Sequence, residues 1–292
     1  MIRSLLVGRG YWGTILERYL SETGFDEVGV FSRTGGKTLK EMISDSKAEA
    51  VFICTPVSTH YEYVKEALET GAHVFCEKML TDNEEKMNFL FRQADEKNKI
   101  LFTDYIYQFS PSIGEMKKRI SSLGEIVSID AQITQKGKLY KDTDVLGNIG
   151  VHMLSVVGLM TDYSEAYSID ECRVNASNDA GPMDLHLKMR VKEAIVGIRA
   201  SIVSEEKTRK INVVCREKQL SFDMMNRPSL VITQNDGRKQ GMFFDEGNNL
   251  KAALESFRES IESGECEENR RCCEYIEKMV PKIRKNYVDS GC

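Results

Sequence analysis

Three glycines, Gly8, Gly10 and Gly13, stand in Gly8-Arg9-Gly10-Tyr11-Trp12-Gly13 at the spacing G-x-G-x-x-G. Residues without side chains let backbone approach an anion closely. At a helix start, exposed N–H groups and the positive end of the dipole then hold it, so the pattern implies the pyrophosphate of a dinucleotide. Tyr11 and Trp12 lie inside the pattern and belong to the same expected site, Trp12 either as a cover over the cofactor or as packing. About 20 residues further on, an Asp or Glu would hold the ribose 2′-OH of NAD. Phe31-Ser32-Arg33-Thr34 carries no carboxylate there. A hydroxyl followed by Arg33 suits a 2′-phosphate, because a guanidinium binds phosphate bidentately and lies flat on adenine. NADP is therefore the expected cofactor, with NAD as the alternative, and Thr34 is counted in the site.

Such residues need a strand before Gly8 and a helix behind it. Ile2–Val7 is a continuous apolar run and Gly13–Leu20 reads as helical. Further strand-like runs follow at 27–31, 51–55, 74–76 and 100–103, separated by helical segments at 60–70 and 83–97. In the first of these Tyr63, Val64, Ala67 and Leu68 fall at helical spacing before Gly71. Short apolar strands alternating with helices predict a doubly wound parallel sheet covered on both faces. After Gly124 the pattern changes to longer alternating runs at 125–135, 183–191, 194–203, 211–216, 220–223 and 230–233, which predict antiparallel pairing. A helical insert, 148–160, interrupts them, and helices at 249–263 and 267–285 close the chain. The expected organisation is α/β, with a dinucleotide-binding domain at 1–121 and an α+β domain with a largely antiparallel sheet at 122–292.

Four stretches carry a resemblance to a family. Gly8 to Gly13, Cys54-Thr55-Pro56-Val57-Ser58-Thr59-His60-Tyr61-Glu62, Gly71-Ala72-His73-Val74-Phe75-Cys76-Glu77-Lys78 and Tyr107-Gln108-Phe109-Ser110-Pro111 resemble, in order and spacing, the glucose-fructose oxidoreductase/inositol dehydrogenase/MocA group, written Gfo/Idh/MocA. The resemblance runs from residue 1 to about 135 and resumes around His152. It implies a Rossmann domain followed by a domain on an open mixed sheet, with substrate between that sheet and the nicotinamide. It implies hydride transfer between NAD(P) and a carbonyl or hydroxyl carbon of a sugar or sugar-derived molecule. Reduction of imines or conjugated systems is the alternative within the family, and an inactive NADP-binding sensor the alternative of another class.

By the same resemblance Thr55, Pro56, Glu77 and Lys78 lie at the cofactor, and the Lys78 ammonium donates a proton to the substrate oxygen. Met79 stands where the family usually has Pro, which is expected to relax how Lys78 is aimed. Asn148 stands where the family often has Asp, four residues before His152. An i, i+4 pair shares a helix face, but an amide cannot take a proton as a carboxylate can, so catalysis is expected from Lys78 and His152 with Asn148 as a hydrogen-bonding partner. His60, behind the Thr55-Pro56 turn, is expected to cap its helix, to line the nicotinamide site or, equally, to serve a structural role.

Composition narrows the classes further. With 292 residues, 41% hydrophobic, 29% charged and a formal net charge of −5 without a Lys/Arg block, the chain folds and offers nothing to phosphate backbones or anionic lipid, so neither nucleic acid nor membrane is an expected partner. The run Ile2–Val7 is too short for a secretory leader, and no stretch approaches the ~20 apolar residues of a membrane span. Eight Cys without CxxC spacing imply reduced thiols and no metal site, as in the cytoplasm. In the family, uncovered sheet faces commonly become subunit interfaces, which implies a homodimer or homotetramer.

Overall fold

The computed structural model describes residues 1–138, 142–179 and 181–289 and divides into two compact units. The first takes Met1–Tyr105 with Asn248–Glu277; the second takes Ile106–Gly247 and the chain from Lys278 onward. The sequence places one boundary near 121, whereas the chain changes units at Tyr105 and returns for residues 248–277.

In the first unit, β1 (Ile2–Val7), β2 (Phe25–Phe31), β3 (Ala50–Ile53), β4 (His73–Glu77) and β5 (Leu101–Asp104) form a parallel sheet in the order β2-β1-β3-β4-β5. Helices α1 (Tyr11–Leu20), α2 (Leu39–Ser46), α3 (Val57–Glu69) and α4 (Glu84–Lys97) connect them. All four residues of β3 are buried, as expected of strands covered on both faces. Helix α2 is absent from the sequence reading, although Thr38-x-x-Glu41 spells a capping box: the Thr38 hydroxyl accepts from Glu41 N–H, and the Glu41 carboxylate accepts from Thr38 N–H at 2.7 Å. The strand order reverses at β1, with β2 on one side and β3 on the other. A crevice therefore opens beyond the carboxyl ends of β1 and β3.

The second unit holds α5 (Pro111–Ile120), β6 (Ile126–Lys136), a π-helical turn (Leu146–Gly150), α6 (Val151–Met160), β7 (Tyr167–Asn178), β8 (Gly181–Val191), β9 (Ala194–Ser201), β10 (Val203–Cys215), β11 (Lys218–Asp223), β12 (Leu230–Gln234), β13 (Lys239–Met242) and the short β14 (Val288–Asp289). Its sheet runs β13-β12-β11-β10-β6-β9-β8-β7-β14, with β6–β9 and β7–β14 parallel and the other pairs antiparallel. One face buries Ile129, Ala131, Val196, Ile198, Leu187 and Met189; alternate positions expose Asp130, Lys188, Arg190 and Arg199. Strand β7 escaped the sequence reading because its register slips between Ile169 and Glu171, which breaks the period of two.

Helix α7 (Asn249–Ser263) and most of α8 (Glu267–Lys285) return to the first unit, and the reason is aromatic. One ring each from β2, β3, β4 and β5 (Phe25, Phe52, Phe75 and Phe102) lies 5.6 to 5.7 Å, centroid to centroid, from Phe257 of α7. Phe25 and Phe52 also meet edge to face at 4.9 Å. Burying such a side chain stabilises by about 1.5–3 kcal/mol, and Leu250, Ala253 and Leu254 are buried beside Phe257. The α7 stripe therefore finishes the Rossmann core, although more than 140 residues of another unit intervene. Among the described residues no helix is long and apolar enough to cross a membrane, and seven cysteines are free thiols.

Candidate active site

Each unit holds its own group of candidate side chains. In the first unit the group begins at the end of β1, where Gly8 takes a left-handed φ of +93°. A Cβ there would sit 2.7 Å from both the Cys54 carbonyl oxygen and Thr55 Cγ2, and one at Gly13 only 2.0 Å from the Gly8 carbonyl oxygen. These two glycines let the turn pack against the end of β3. Gly10 differs: it is the N-cap of α1, and a Cβ built on it meets nothing within 4 Å. No side chain caps α1, and its first turn holds no acidic residue. Open space in front of uncapped, inward-leading N–H groups fits a pyrophosphate.

Tyr11 and Trp12 are 72% and 41% exposed and stand edge to face at 5.4 Å, so packing in the core does not account for Trp12. Beyond β2, the Ser32 and Thr34 hydroxyls lie 3.0 Å apart, Gly35 N–H donates to the Ser32 carbonyl, and Arg33 is exposed. The loop thus presents two hydroxyls and a guanidinium with no carboxylate among residues 32–37, a set that suits a phosphate.

His60 takes a structural position in the first unit. Its ring is fully buried, with Nδ1 2.7 Å from the Met79 carbonyl oxygen and Nε2 2.8 Å from that of Thr55. It braces the Thr55-Pro56 turn against the loop that follows β4. That loop carries Lys78, directly after Glu77. Downstream, the buried Glu277 carboxyl of α8 accepts from Thr81 N–H at 3.0 Å and lies 2.9 Å from Thr81 Oγ1. Burial pushes Glu277 up to about 8, against its hydrogen bonds from Thr81 and Leu80. Met79 and Leu80 are buried. The missing proline therefore does not leave Lys78 on a slack loop, because His60 and Glu277 pin the backbone on both sides of Leu80.

Glu77 is pushed up to about 7, by burial first, partly offset by the Lys78 ammonium and a bond from Lys78 N–H. Asp104, at the end of β5, is the side chain that sequence reasoning missed: buried, with its carboxyl held well above the ordinary range by burial and then by Glu77. A signal existed, since two apolar runs both end on a carboxylate, Glu77 and Asp104.

In the second unit every residue of α6 is buried except His152, which is half-buried. Its ring stands 5.0 Å from that of Tyr107. Burial pushes the Tyr107 hydroxyl up, while the Arg209 guanidinium hydrogen-bonds it and pulls it back. Arg209, itself buried, donates to the carbonyls of Thr134 (2.9 Å) and Thr208 (2.6 Å). Neither Tyr107 nor Arg209 was singled out from sequence, although Tyr107 lies in a motif of the family resemblance.

Asn148 lies in the π-helical turn, not in an α-helix, and its amide donates to the Lys138 carbonyl at 3.3 Å. Turns wound i→i+5 recur at functional sites. This one is anchored by buried Asp144, which accepts from Arg284 (Nε 3.0 Å, Nη2 2.9 Å), Gly147 N–H (2.9 Å) and the Tyr287 hydroxyl (2.8 Å). Burial works to raise this carboxyl; its donors, Arg284 first, hold it below the ordinary range.

Residues 16–105 match the Gfo/Idh/MocA oxidoreductase family with an NAD-binding Rossmann fold. The chain is 24% identical over 198 residues to a UDP-N-acetylglucosamine 3-dehydrogenase of Acidithiobacillus ferrooxidans, a match spanning 68% of this chain and 62% of that protein. It is 22% identical over 260 residues to D-xylose 1-dehydrogenase (NADP(+)) 2 of Haloferax volcanii, covering 82% and 77%. Among solved structures, a 3-ketoreductase from Actinomadura kijaniata in complex with NADP and TDP-benzene superposes with a TM-score of 0.86 at 17% identity, covering 99% and 98%. The Acidithiobacillus ferrooxidans enzyme does so at 0.85 and 20%, covering 98% and 97%. The strand order of the first unit and the sequence match agree: residues 16–105 are similar to the NAD-binding Rossmann domain of the Gfo/Idh/MocA oxidoreductase family, and the glycine turn after β1 lies directly before them.

Proposed function

We propose that the chain is an NADP(H)-dependent oxidoreductase acting on a carbonyl or hydroxyl carbon of a sugar or sugar-derived small molecule. The carrying observation is the uncapped start of α1 behind open space at Gly10, with a carboxylate-free Ser32-Arg33-Thr34 loop after β2. When bound, the nicotinamide supplies or accepts the hydride. The α1 N–H groups would hold the pyrophosphate and Ser32, Arg33 and Thr34 the 2′-phosphate, with Thr55 and Pro56 beside the glycine turn. Lys78 holds a proton at its Nζ for the substrate oxygen. Asn148 and His152 offer hydrogen bonds to hydroxyls, and Tyr107 orients His152. The named activities of the relatives, on a nucleotide-linked sugar and on xylose, support a sugar as substrate.

NADPH is expected to bind at least about tenfold more tightly than NADH, about 1.4 kcal/mol. Titration against the fluorescence of Trp12, the sole tryptophan, measures both. Arg33→Ala should weaken NADPH much more than NADH; equal affinities in the wild type, or equal losses in the variant, would overturn the assignment. Turnover over a panel of ketosugars and cyclic imines tests the reaction. Tight NADPH binding with no turnover on any of them would favour a sensor.

The reading extends to a homodimer or homotetramer in the cytoplasm. The outward face of the nine-stranded sheet supports the first, because Ile195 is exposed there, and the free thiols suit a reducing compartment. Sedimentation velocity is expected to give two or four times the 33.2 kDa chain mass, and a monomer at micromolar concentration would remove the oligomer from the proposal.

A further inference from the structure

Glu77 closes β4 and Asp104 closes β5, and the two are register partners on parallel strands. Such partners lie about 4.8 Å apart and point to the same face, so the carboxyls stand side by side. Lys78, next in sequence to Glu77, is the cation that acts on both. Asp104 is 2% exposed, and its Oδ1 has no hydrogen-bond partner among the described residues. An ionised carboxylate oxygen buried without a donor is costly, and a second carboxylate beside it adds repulsion. One proton on the pair removes both costs: it makes a donor of one carboxyl, and it brings the cluster with the Lys78 ammonium to zero net charge.

We propose that Glu77 and Asp104 hold one shared proton and return it to Lys78 after Lys78 has protonated the substrate oxygen. This rests on the oxidoreductase reading, in which NADPH provides the electron pair that reduces the carbonyl carbon. The Lys78 Nζ–H bond breaks as the substrate O–H bond forms, leaving a neutral amine. The carboxyl O–H bond then breaks as Nζ–H re-forms, leaving two carboxylates opposite one ammonium. Water returns a proton to the pair before the next turnover, and alcohol oxidation runs every transfer in reverse. Lys78 is the catalytic residue; Glu77 and Asp104 act through it.

The titratable groups coupled to the pair are Cys54 beyond β3, Lys78 and, from the opposite face of β4, Cys76; Glu277 of α8 lies a step further, acting on Cys76 and Tyr105. Burial lifts both thiols well above their ordinary range, so they stay neutral. The pair itself is lifted, Glu77 to about 7. Below that pH the shared proton is present; as pH rises through it, the relay empties and carbonyl reduction slows.

Carbon-13 NMR of protein labelled at the aspartate carboxyl carbons separates Asp104 from Glu277, whose own carboxyl titrates in the same range. One aspartate carbon is expected to titrate well above the ordinary carboxylate range and to vanish from the spectrum of Asp104→Asn. Stopped-flow reduction by Asp104→Asn should be about tenfold slower at about pH 6 and should lose the decline near pH 7, with NADPH affinity unchanged. Where that variant fails to fold, Glu77→Gln should lower the Asp104 midpoint towards the ordinary range. Aspartates that all titrate below about pH 5, a wild-type pH profile in Asp104→Asn, or an unmoved midpoint in Glu77→Gln would each overturn the proposal. Wild type that binds NADPH but never oxidises it sinks the oxidoreductase reading and the relay with it, whereas turnover with an ordinary aspartate titration sinks the relay alone.

Discussion

Replacing Lys78 by Ala is expected to lower turnover by roughly 10² to 10⁴ while NADPH affinity stays within a few fold, the range that a positioned general acid contributes. At about 1.4 kcal/mol per tenfold this is roughly 3 to 5.5 kcal/mol of barrier. The loss is expected on the chemical step, because the anchors proposed for the cofactor are the glycine turn and the loop after β2. The aim of Lys78 is set by neighbours that Lys78→Ala leaves in place: His60 on the Met79 carbonyl and Glu277 on Thr81. Lys78→Arg separates charge from proton donation, since a guanidinium keeps the positive charge but does not release a proton near neutrality. It should remain near the Ala variant in rate. Stopped-flow NADPH oxidation reads both, and wild-type turnover in Lys78→Ala would remove this lysine from the mechanism.

The second large effect distinguishes two glycines that look alike in sequence. Gly10→Val should weaken NADPH binding by about 10³ or more, roughly 4 kcal/mol, with circular dichroism and melting close to wild type. Gly10 has φ −82°, open to any residue, and its missing side chain meets nothing in the protein, so a valine there would fill only the space assigned to the pyrophosphate. Gly13→Ala should do the reverse and cost the fold first, because its Cβ would lie 2.0 Å from the Gly8 carbonyl oxygen and the turn would have to open. Calorimetry beside thermal melts separates the two. A folded Gly10→Val protein that binds NADPH at wild-type strength would mean that Gly10 merely shapes a turn.

From its residue order alone the chain determined the local parts of this protein. The five parallel strands were visible as short apolar-rich runs alternating with helical segments, as a parallel sheet covered on both faces requires. The glycine turn was visible because its chemistry is backbone chemistry, confined to six consecutive positions, and the loop at Ser32 because it lies a fixed distance downstream. Tertiary structure alone decided what depends on neighbours distant in sequence. Phe257 joins four phenylalanines that precede it by more than 150 positions, which is why the chain returns to the first unit after residue 247. Whether Met79 loosens Lys78 depends on His60 and Glu277, and His60 becomes a brace only because two carbonyls converge on its ring. Glu77 and Asp104 are ordinary carboxylates 27 positions apart until parallel register sets them side by side; burial and a like charge then change which protonation state is stable. Sequence spacing encodes what a backbone segment does by itself, whereas desolvation and charge coupling are properties of the folded surroundings.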